Sequence, residues 1–401
     1  MLRRVFHALR YRDFRLLWIG SCISSIGTWM QKLAQSWLVL EISDSTFLLG
    51  LDAFLGEIPI FLFSLLGGVV ADRRSRRHLL IVSQLIQFTC AVILTVLVLN
   101  GLNKVWPILM LSFFVGLAQS FGGPAHQALL PSLVKSEDLS NAIALNSIQF
   151  NVARVLGPVL GGLALKQLGA AWCFGLNSLS FLPVTVALLL IRTSYQPAFT
   201  GESMVASLRQ GFGFIQGRTA MVSLIVLAFL ITALSIPLIV FLPVFAKDVF
   251  QRDAETYTLL LAVSGVGSVC GAMITAVAGN TPEKGRKSLI LLMSLGVLMT
   301  AFSLSPLLPL SCVLLFLWSA ALIAVFTLLS SLVQLITPDQ MRGRVMSVYN
   351  VAFRGGMPFG SLSTGWLSTS FAAPAVLAVY GVLQVCVGAY FLLIHRKAAR
   401  L

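Results

Sequence analysis

The sequence predicts an all-α membrane protein: twelve transmembrane helices in two pseudo-symmetric six-helix bundles. Three observations predict it. Apolar residues make up 57% of the 401 and charged residues only 10%, whereas a soluble domain is about 25% charged. Apolar runs of roughly 20 residues, the length that spans a bilayer, recur along the whole chain. Basic residues crowd into every second loop.

The chain opens on a basic arm, Met1 to Arg15, that leads straight into an apolar run. It has no short charged-then-apolar start with a small-residue cleavage site, so it is expected to be a retained cytoplasmic arm. The runs then predict helices at 14–41, 47–71, 78–99, 106–130, 142–165 and 171–191. A second group follows at 219–246, 257–279, 288–307, 310–336, 345–368 and 373–394. Only Arg192 to Arg218 is long and polar enough to link two halves. The expected domains are therefore an N-terminal bundle (1–191), a cytoplasmic linker (192–218) and a C-terminal bundle (219–401). Met204, Leu208, Phe212 and Ile215 in the linker are apolar at helical spacing, the pattern of an amphipathic helix on the membrane surface. Gly211, Gly213 and Gly217 work against it.

The formal net charge is +14. With the N-terminus inside, the inner loops hold 21 of the 28 basic residues and the outer loops 4. That asymmetry puts both termini in the cytoplasm and favours an even number of spans. It also explains the basic balance without nucleic acid. The six cysteines all fall in apolar runs without paired spacing, as buried small hydrophobes do.

The halves echo each other. Asn151-Val152-Ala153, Gly157 and Gly161 recur 199 residues later as Asn350-Val351-Ala352, Gly356 and Gly360. Arg74-Ser75-Arg76-Arg77 recurs 210 residues later as Lys284-Gly285-Arg286-Lys287. Parallel repeats of this kind mark transporters whose halves rock about a site at their interface.

Gly68-Val69-Val70-Ala71-Asp72-Arg73-Arg74-Ser75-Arg76-Arg77 ends one span and turns into the next. Gly68 permits close helix packing. Asp72 can accept hydrogen bonds from a neighbouring helix start, and the arginines can pair with it or with lipid phosphate. A plain basic loop needs neither the Gly nor the Asp. The stretch resembles the G-x-x-x-D-R-x-G-R-R loop of the major facilitator superfamily, with Ser75 where glycine is usual. The resemblance implies a gate latch built on Gly68, Asp72, Arg73, Arg76 and Arg77. The second half has Pro282 at the place of the Asp, so the latch is expected to be asymmetric. Gly157-Pro158-Val159-Leu160-Gly161-Gly162 is similar to the G-P-x-x-G-G end of the antiporter motif of drug-efflux members. Pro158 bends its helix and the glycines admit a neighbour; ordinary small-residue packing is the weaker alternative, and the two are not exclusive. Pro338-Asp339-Gln340-Met341-Arg342-Gly343-Arg344, Tyr11 to Trp18 and Gly27 to Gln31 extend the likeness over nearly the whole chain. The group they are similar to is the enterobactin-exporter and macrolide-efflux group, the transmembrane secretion effector family. Gly157, Pro158 and Arg342 join the gating candidates.

A charge within a span costs several kcal/mol and is a functional candidate by default. Lys32 lies about 25 Å along its helix from Arg15 and Glu57 about 22 Å from Asp72, which makes a Lys32–Glu57 pair plausible. Asp52 lies about 30 Å from Asp72, near the outer surface, where it can be wetted. Glu57 is the better candidate proton carrier and Asp52 the second. Arg154 and Arg354 sit about 18 and 15 Å into equivalent helices, near the midplane. They can clamp an anionic or catechol-like substrate, or brace the interface between the halves. Gln31, Gln35 and Asn151 are polar at lipid depth and should face a cavity or another helix. With Lys32, Arg154 and Arg354 they form the candidate substrate site. His126 reads as a packed polar residue more readily than as a proton relay.

The function expected is proton-coupled export of a small amphipathic molecule (a siderophore, antibiotic or drug-like compound) by a monomer in the bacterial inner membrane. Lipids and a proton or other ion are the other expected partners, with no cofactor, metal or nucleic acid. Lysophospholipid flipping by the same fold is the alternative. A membrane enzyme is disfavoured, because no His-Glu metal cluster, G-x-S-x-G elbow or P-loop appears.

Overall fold

The computed structural model describes residues 6–102, 104–192, 204–278 and 283–394. Arg3, Arg4, Pro282, Arg396, Lys397, Arg400 and linker residues 193–203 lie outside the described residues. So do the side chains of Met204 and Leu208.

The described chain is helical. Twelve long helices carry it, with one shorter helix between the sixth and the seventh of them. They are α1 (Arg12–Ser43), α2 (Thr46–Arg73), α3 (Arg76–Leu99), α4 (Trp106–Leu129), α5 (Leu139–Leu168) and α6 (Ala170–Leu190). The short helix is α7 (Met204–Gln216). Then come α8 (Thr219–Val240), α9 (Ala254–Ala278), α10 (Lys284–Leu304), α11 (Leu308–Leu335), α12 (Asp339–Leu367) and α13 (Ala373–Ala389). Each predicted run is one of these long helices. At α5 both observed ends reach past the predicted run, because a helix continues into polar sequence until a stop residue ends it. α1 stops at Asp44, whose φ of 49° is left-handed, and α5 stops at Gly169, with φ 89°. α8 is prolonged by the turn Leu242–Val244 and a π-turn, Phe245–Val249.

Ten helices among the described residues are long and apolar enough to cross a membrane. The two long helices that are not, α1 and α12, have the length at 32 and 29 residues. Polar residues dilute their apolar content: Gln31, Lys32 and Gln35 on α1, Asn350 and Arg354 on α12. These two helices carry most of the candidate site.

The chain divides into two compact units: Met1–Asp44 with Leu55–Gly201, and Ser45–Phe54 with Glu202–Leu401. The first turns of α2 thus belong to the second unit. There Gly50 meets the Ser361 carbonyl and Gly365 of α12, and Phe54 packs edge-on against Phe359 at 6.3 Å. In the first unit α1 packs along α5 and α6, and α3 along α4 and α6. In the second unit α8 packs along α12 and α13, and α10 along α11 and α13, while α9 packs along α11. α2 completes the parallel, because Gly67 meets Ser120 of α4 and Gly116 of α4 meets Gly56. Helices at equivalent places therefore make equivalent pairs. Of the six cysteines only Cys90 and Cys173 are buried, and Cys386 is exposed.

Candidate functional site

The repeated glycines explain how the site is built. A Cβ at Gly157 would collide with the Trp29 Cβ and the Ile26 carbonyl of α1. A Cβ at Gly356 would collide with the Thr232 hydroxyl and the Phe229 carbonyl of α8. Gly161 faces Met30 and Gly360 faces Ala233. The two helix pairs are in the same register, so close approach is what these glycines provide. In the first unit this approach seats Trp29 against α5, which continues through Pro158. The register puts Thr232 where Trp29 stands and Ser235 where Lys32 stands. The chemistry at this place is therefore asymmetric between the units.

Trp29 carries two cations. Lys32 Nζ lies 5.4 Å from its ring centroid and the Arg154 guanidinium carbon 5.8 Å. The two charges stand within about 11 Å of each other. Phe150, 53% exposed, packs edge-on to the indole at 6.1 Å. Lys32 is exposed and Arg154 half-buried. Neither makes an ion pair among the described residues. The expected Lys32–Glu57 pair is not formed, because the Lys32 stem bends over the ring one turn away. Cation–π contact contributes about 0.5–2 kcal/mol per cation. That is less than the several kcal/mol of holding a charge within a span. The platform is therefore chemically fit to receive an anion with an aromatic or apolar body.

Beside it runs a polar network. Asn177 Nδ2 donates to Gln31 Oε1 (2.6 Å), Gln31 Nε2 to Gln35 Oε1 (3.3 Å), and Gln35 Nε2 to the Ser112 hydroxyl (2.8 Å). Gln149 Nε2 of α5 donates to the Ser21 carbonyl and the Ser25 hydroxyl of α1. Gln31 and Gln35 thus tie α1 to α6 and α4, and Asn151 donates back to the Ser147 carbonyl of its own helix. Interhelical bonds of this kind contribute about 0.6 kcal/mol each in membranes, so they fix register more than they stabilise. His126 Nε2 lies 3.3 Å from Asn146 Oδ1 of α5, as a packed polar residue does.

The turn between α2 and α3 is two residues long. Ser75 caps α3, with a φ of −61° and its hydroxyl accepting from the His78 N–H, so glycine is not required there. Asp72 pairs with Arg76 at 3.6 Å. Among the described residues it accepts no hydrogen bond from a neighbouring helix start, contrary to the expectation; the side chain of Arg76, the first residue of α3, pairs with it across the turn instead. Arg76 also donates to the Ala128 carbonyl of α4 (2.6 Å). Arg77 donates to the Leu189 and Ile191 carbonyls at the end of α6 (2.7 and 3.0 Å). Cations at helix C-termini satisfy orphan carbonyls and oppose the helix dipole. Arg73 is exposed, without an ion pair among the described residues. At the corresponding turn of the second unit, buried Lys284 reaches Ser331 of α11 at 3.3 Å.

On the same end of the first unit, the turn His7–Arg10 docks on the start of α5. His7 Nδ1 lies 2.8 Å from Asp138 Oδ1. Arg10 and the Tyr11 hydroxyl each donate to Asp138 Oδ2 at 2.7 Å, and the Ala8 N–H donates to Asn141 Oδ1 at 2.8 Å. Hydrogen bonds from Tyr11 and His7, with the Arg10 charge, hold the Asp138 carboxyl below the usual carboxylate range.

Asp52 is buried at 8% exposure, so it is not wetted at an outer surface, and Glu57 is half-buried. Both make further interactions, and so does Arg354, whose side chain is exposed. Arg342 pairs with Asp339 of its own helix. The residue that sequence reasoning left without a role is Trp29. The signal was present, an aromatic three positions before Lys32 on one helix face. Asp138 was overlooked because its partners come from 127 or more residues earlier.

Comparison with solved structures shows that this fold is a known one. A variant of the nucleoside transporter NupG superposes with a TM-score of 0.79 at 12% identity, covering 95% of this chain and 99% of that one. A D-xylose–proton symporter superposes at 0.75 with 14% identity, covering 95% and 97%. Residues 4–399 match the transmembrane secretion effector family, and the chain belongs to that family. Among its relatives, enterobactin exporter EntS of Escherichia coli O1:K1 is 28% identical over 95% of this chain and 91% of its own. EntS of Shigella boydii serotype 4 is 27% identical with the same coverage. The protein is an integral membrane transporter of the major facilitator fold and not an enzyme.

Proposed function

We propose that the protein exports a small anionic amphipathic molecule from the cytoplasm across the bacterial inner membrane, by alternating access coupled to proton entry. The observation that carries this reading is the pair Lys32 and Arg154 over one indole. Two cations at lipid depth without a carboxylate partner among the described residues favour a substrate that brings negative charge. A siderophore or antibiotic with an acidic head and an aromatic body meets those demands, and the relatives named as enterobactin exporters support the direction of transport. Arg354, Gln31, Gln35 and Asn151 are second-rank contacts, since two of them already hold the helix network.

Asp52 and Glu57 are the groups we assign to proton coupling, with buried Asp52 now ranking beside Glu57. Gly68, Asp72, Arg73, Arg76, Arg77, Gly157, Pro158 and Arg342 are the gating residues. In this reading Arg76 and Arg77 release or regrip the helix ends they cap as the state changes. Gly157 and Pro158 keep Trp29 seated during that motion. The test is uptake into everted vesicles with an acid interior, over a panel of catecholates, macrolides and lysophospholipids. Gradient-driven uptake of an anionic aromatic compound, lost with an uncoupler and in Asp52→Asn or Glu57→Gln, is the expected result. Uptake of lysophospholipid alone would move the assignment to lipid flipping.

A further inference from the structure

In the second unit, the C-terminal half of α11 and the N-terminal half of α12 enclose a cleft of about 680 Å³, the size of a drug-like ligand. One wall is a stripe at helical spacing on α11: Thr327, Ser330, Ser331 and Gln334. The other is aromatic. Tyr349 stacks on Phe353 at 6.2 Å, and Phe326 of α11 meets Phe353 edge-on at 4.8 Å. Arg342, one turn into α12, closes one end.

The wall's internal bonds leave a particular surplus. Gln334 Nε2 donates to the Ser330 hydroxyl at 3.2 Å, and Lys284 Nζ to the Ser331 hydroxyl at 3.3 Å. Both serines act as acceptors there, which leaves their O–H groups to donate. The Tyr349 hydroxyl and the Asn350 amide have no hydrogen-bond partner among the described residues, although Tyr349 is only 3% exposed. Asn151, 199 residues earlier, does bond its own helix. Among the described residues Arg342 is held only by an exposed pair with Asp339, a contact of small net worth. The cleft thus offers hydroxyl, amide and guanidinium donors beside flat aromatic faces. Such a lining selects an acceptor-rich head on a ring-bearing body.

We propose that this cleft is a loading site, a second binding site on the cytoplasmic side for an aromatic carboxylate or similar ring-bearing anion. The cytoplasmic placement and the link to transport rest on the export reading above; the binding chemistry does not. The probe is 4-benzoylbenzoate, a photoreactive aromatic carboxylate, irradiated with the full-length protein in lipid nanodiscs and mapped by peptide mass spectrometry. Adducts are expected within 323–335 and 349–353. Asn350→Leu and Phe353→Leu should each lower them by about three- to tenfold, the range that one lost hydrogen bond or ring contact supplies. Thr327→Trp fills the cleft from an exposed position without disturbing the core, and should abolish them. Lys32→Gln should leave them unchanged while it lowers transport. Adducts elsewhere, or adducts that survive Thr327→Trp, overturn the cleft and leave the export reading intact. Competition by lysophospholipid but not by unlabelled aromatic carboxylates overturns the assigned class. Cleft labelling in a protein that transports no anion in the vesicle assay supports the site and sinks the export reading.

Discussion

Trp29 is where the chemistry of single residues becomes a site. Its ring holds Lys32 from its own helix and Arg154 from α5, and these contacts only partly offset the cost of two charges in a span. Arg154→Gln and Lys32→Gln should each raise the half-saturating concentration of an anionic substrate by about ten- to a hundredfold, the range of one charge-assisted contact. Concentration-dependent uptake in vesicles reads this. An unchanged value in both variants would remove the platform from the substrate path. At the other end of the same unit, Asp138 gathers His7, Arg10 and Tyr11. Its folded carboxyl titrates below its unfolded range, so the unfolded state binds the proton more readily. The docking it provides should be full at neutral pH and fade as pH falls from the ordinary carboxylate range through the lowered value. Hydrogen exchange at Ala8, whose N–H is held by Asn141, should therefore quicken in Asp138→Asn at neutral pH. In the unsubstituted protein its protection relative to the intrinsic exchange rate should fall only in acid.

At the scale of elements, the helix pairs α1–α5 and α8–α12 are built alike on Gly157 and Gly356. Gly157→Val and Gly356→Val should each destabilise the solubilised protein by about 1–3 kcal/mol, as overpacking does. Gly123→Ala, whose added Cβ meets nothing within 4 Å, should leave the melting temperature unchanged or raise it slightly. At equal destabilisation Gly157→Val should harm transport more, because it also displaces Trp29. Thermal unfolding in detergent and uptake rates, measured on the same preparations, separate the two effects. The long helices themselves were legible in the sequence, since ten are apolar runs of membrane length and α1 and α12 are runs diluted by a few polar residues. The repeat was legible too, because the Asn-Val-Ala and glycine positions recur at one offset. What Asp72 and Lys32 do was not. Both are occupied by a residue three or four positions away in the chain, Asp72 by Arg76 across the turn into α3 and Lys32 by the Trp29 ring of its own helix. Reasoning by depth along a span ranks distant partners and overlooks near ones. The cleft between α11 and α12 escaped for a different reason: its stripe of Thr, Ser and Gln reads in sequence as ordinary helix packing.

For the whole molecule, family membership and fold establish a transporter, and the units share their helix pairing while differing in chemistry. The cationic platform belongs to the first unit and the donor-lined aromatic cleft to the second. Such asymmetry suits a carrier that must take up a molecule on one side and release it on the other, since two identical half-sites would not distinguish the directions. It also explains why the two least apolar long helices, α1 and α12, are the ones that hold these features. The central claim is that negative charge on the cargo is read by Lys32 and Arg154. Its most direct test is flux in proteoliposomes under a fixed proton gradient, comparing an aromatic carboxylate with its neutral amide. Gradient-driven movement of the carboxylate, little of the amide, and loss of the difference in Arg154→Gln are expected. Equal movement of both compounds, unaltered by Arg154→Gln, would contradict it.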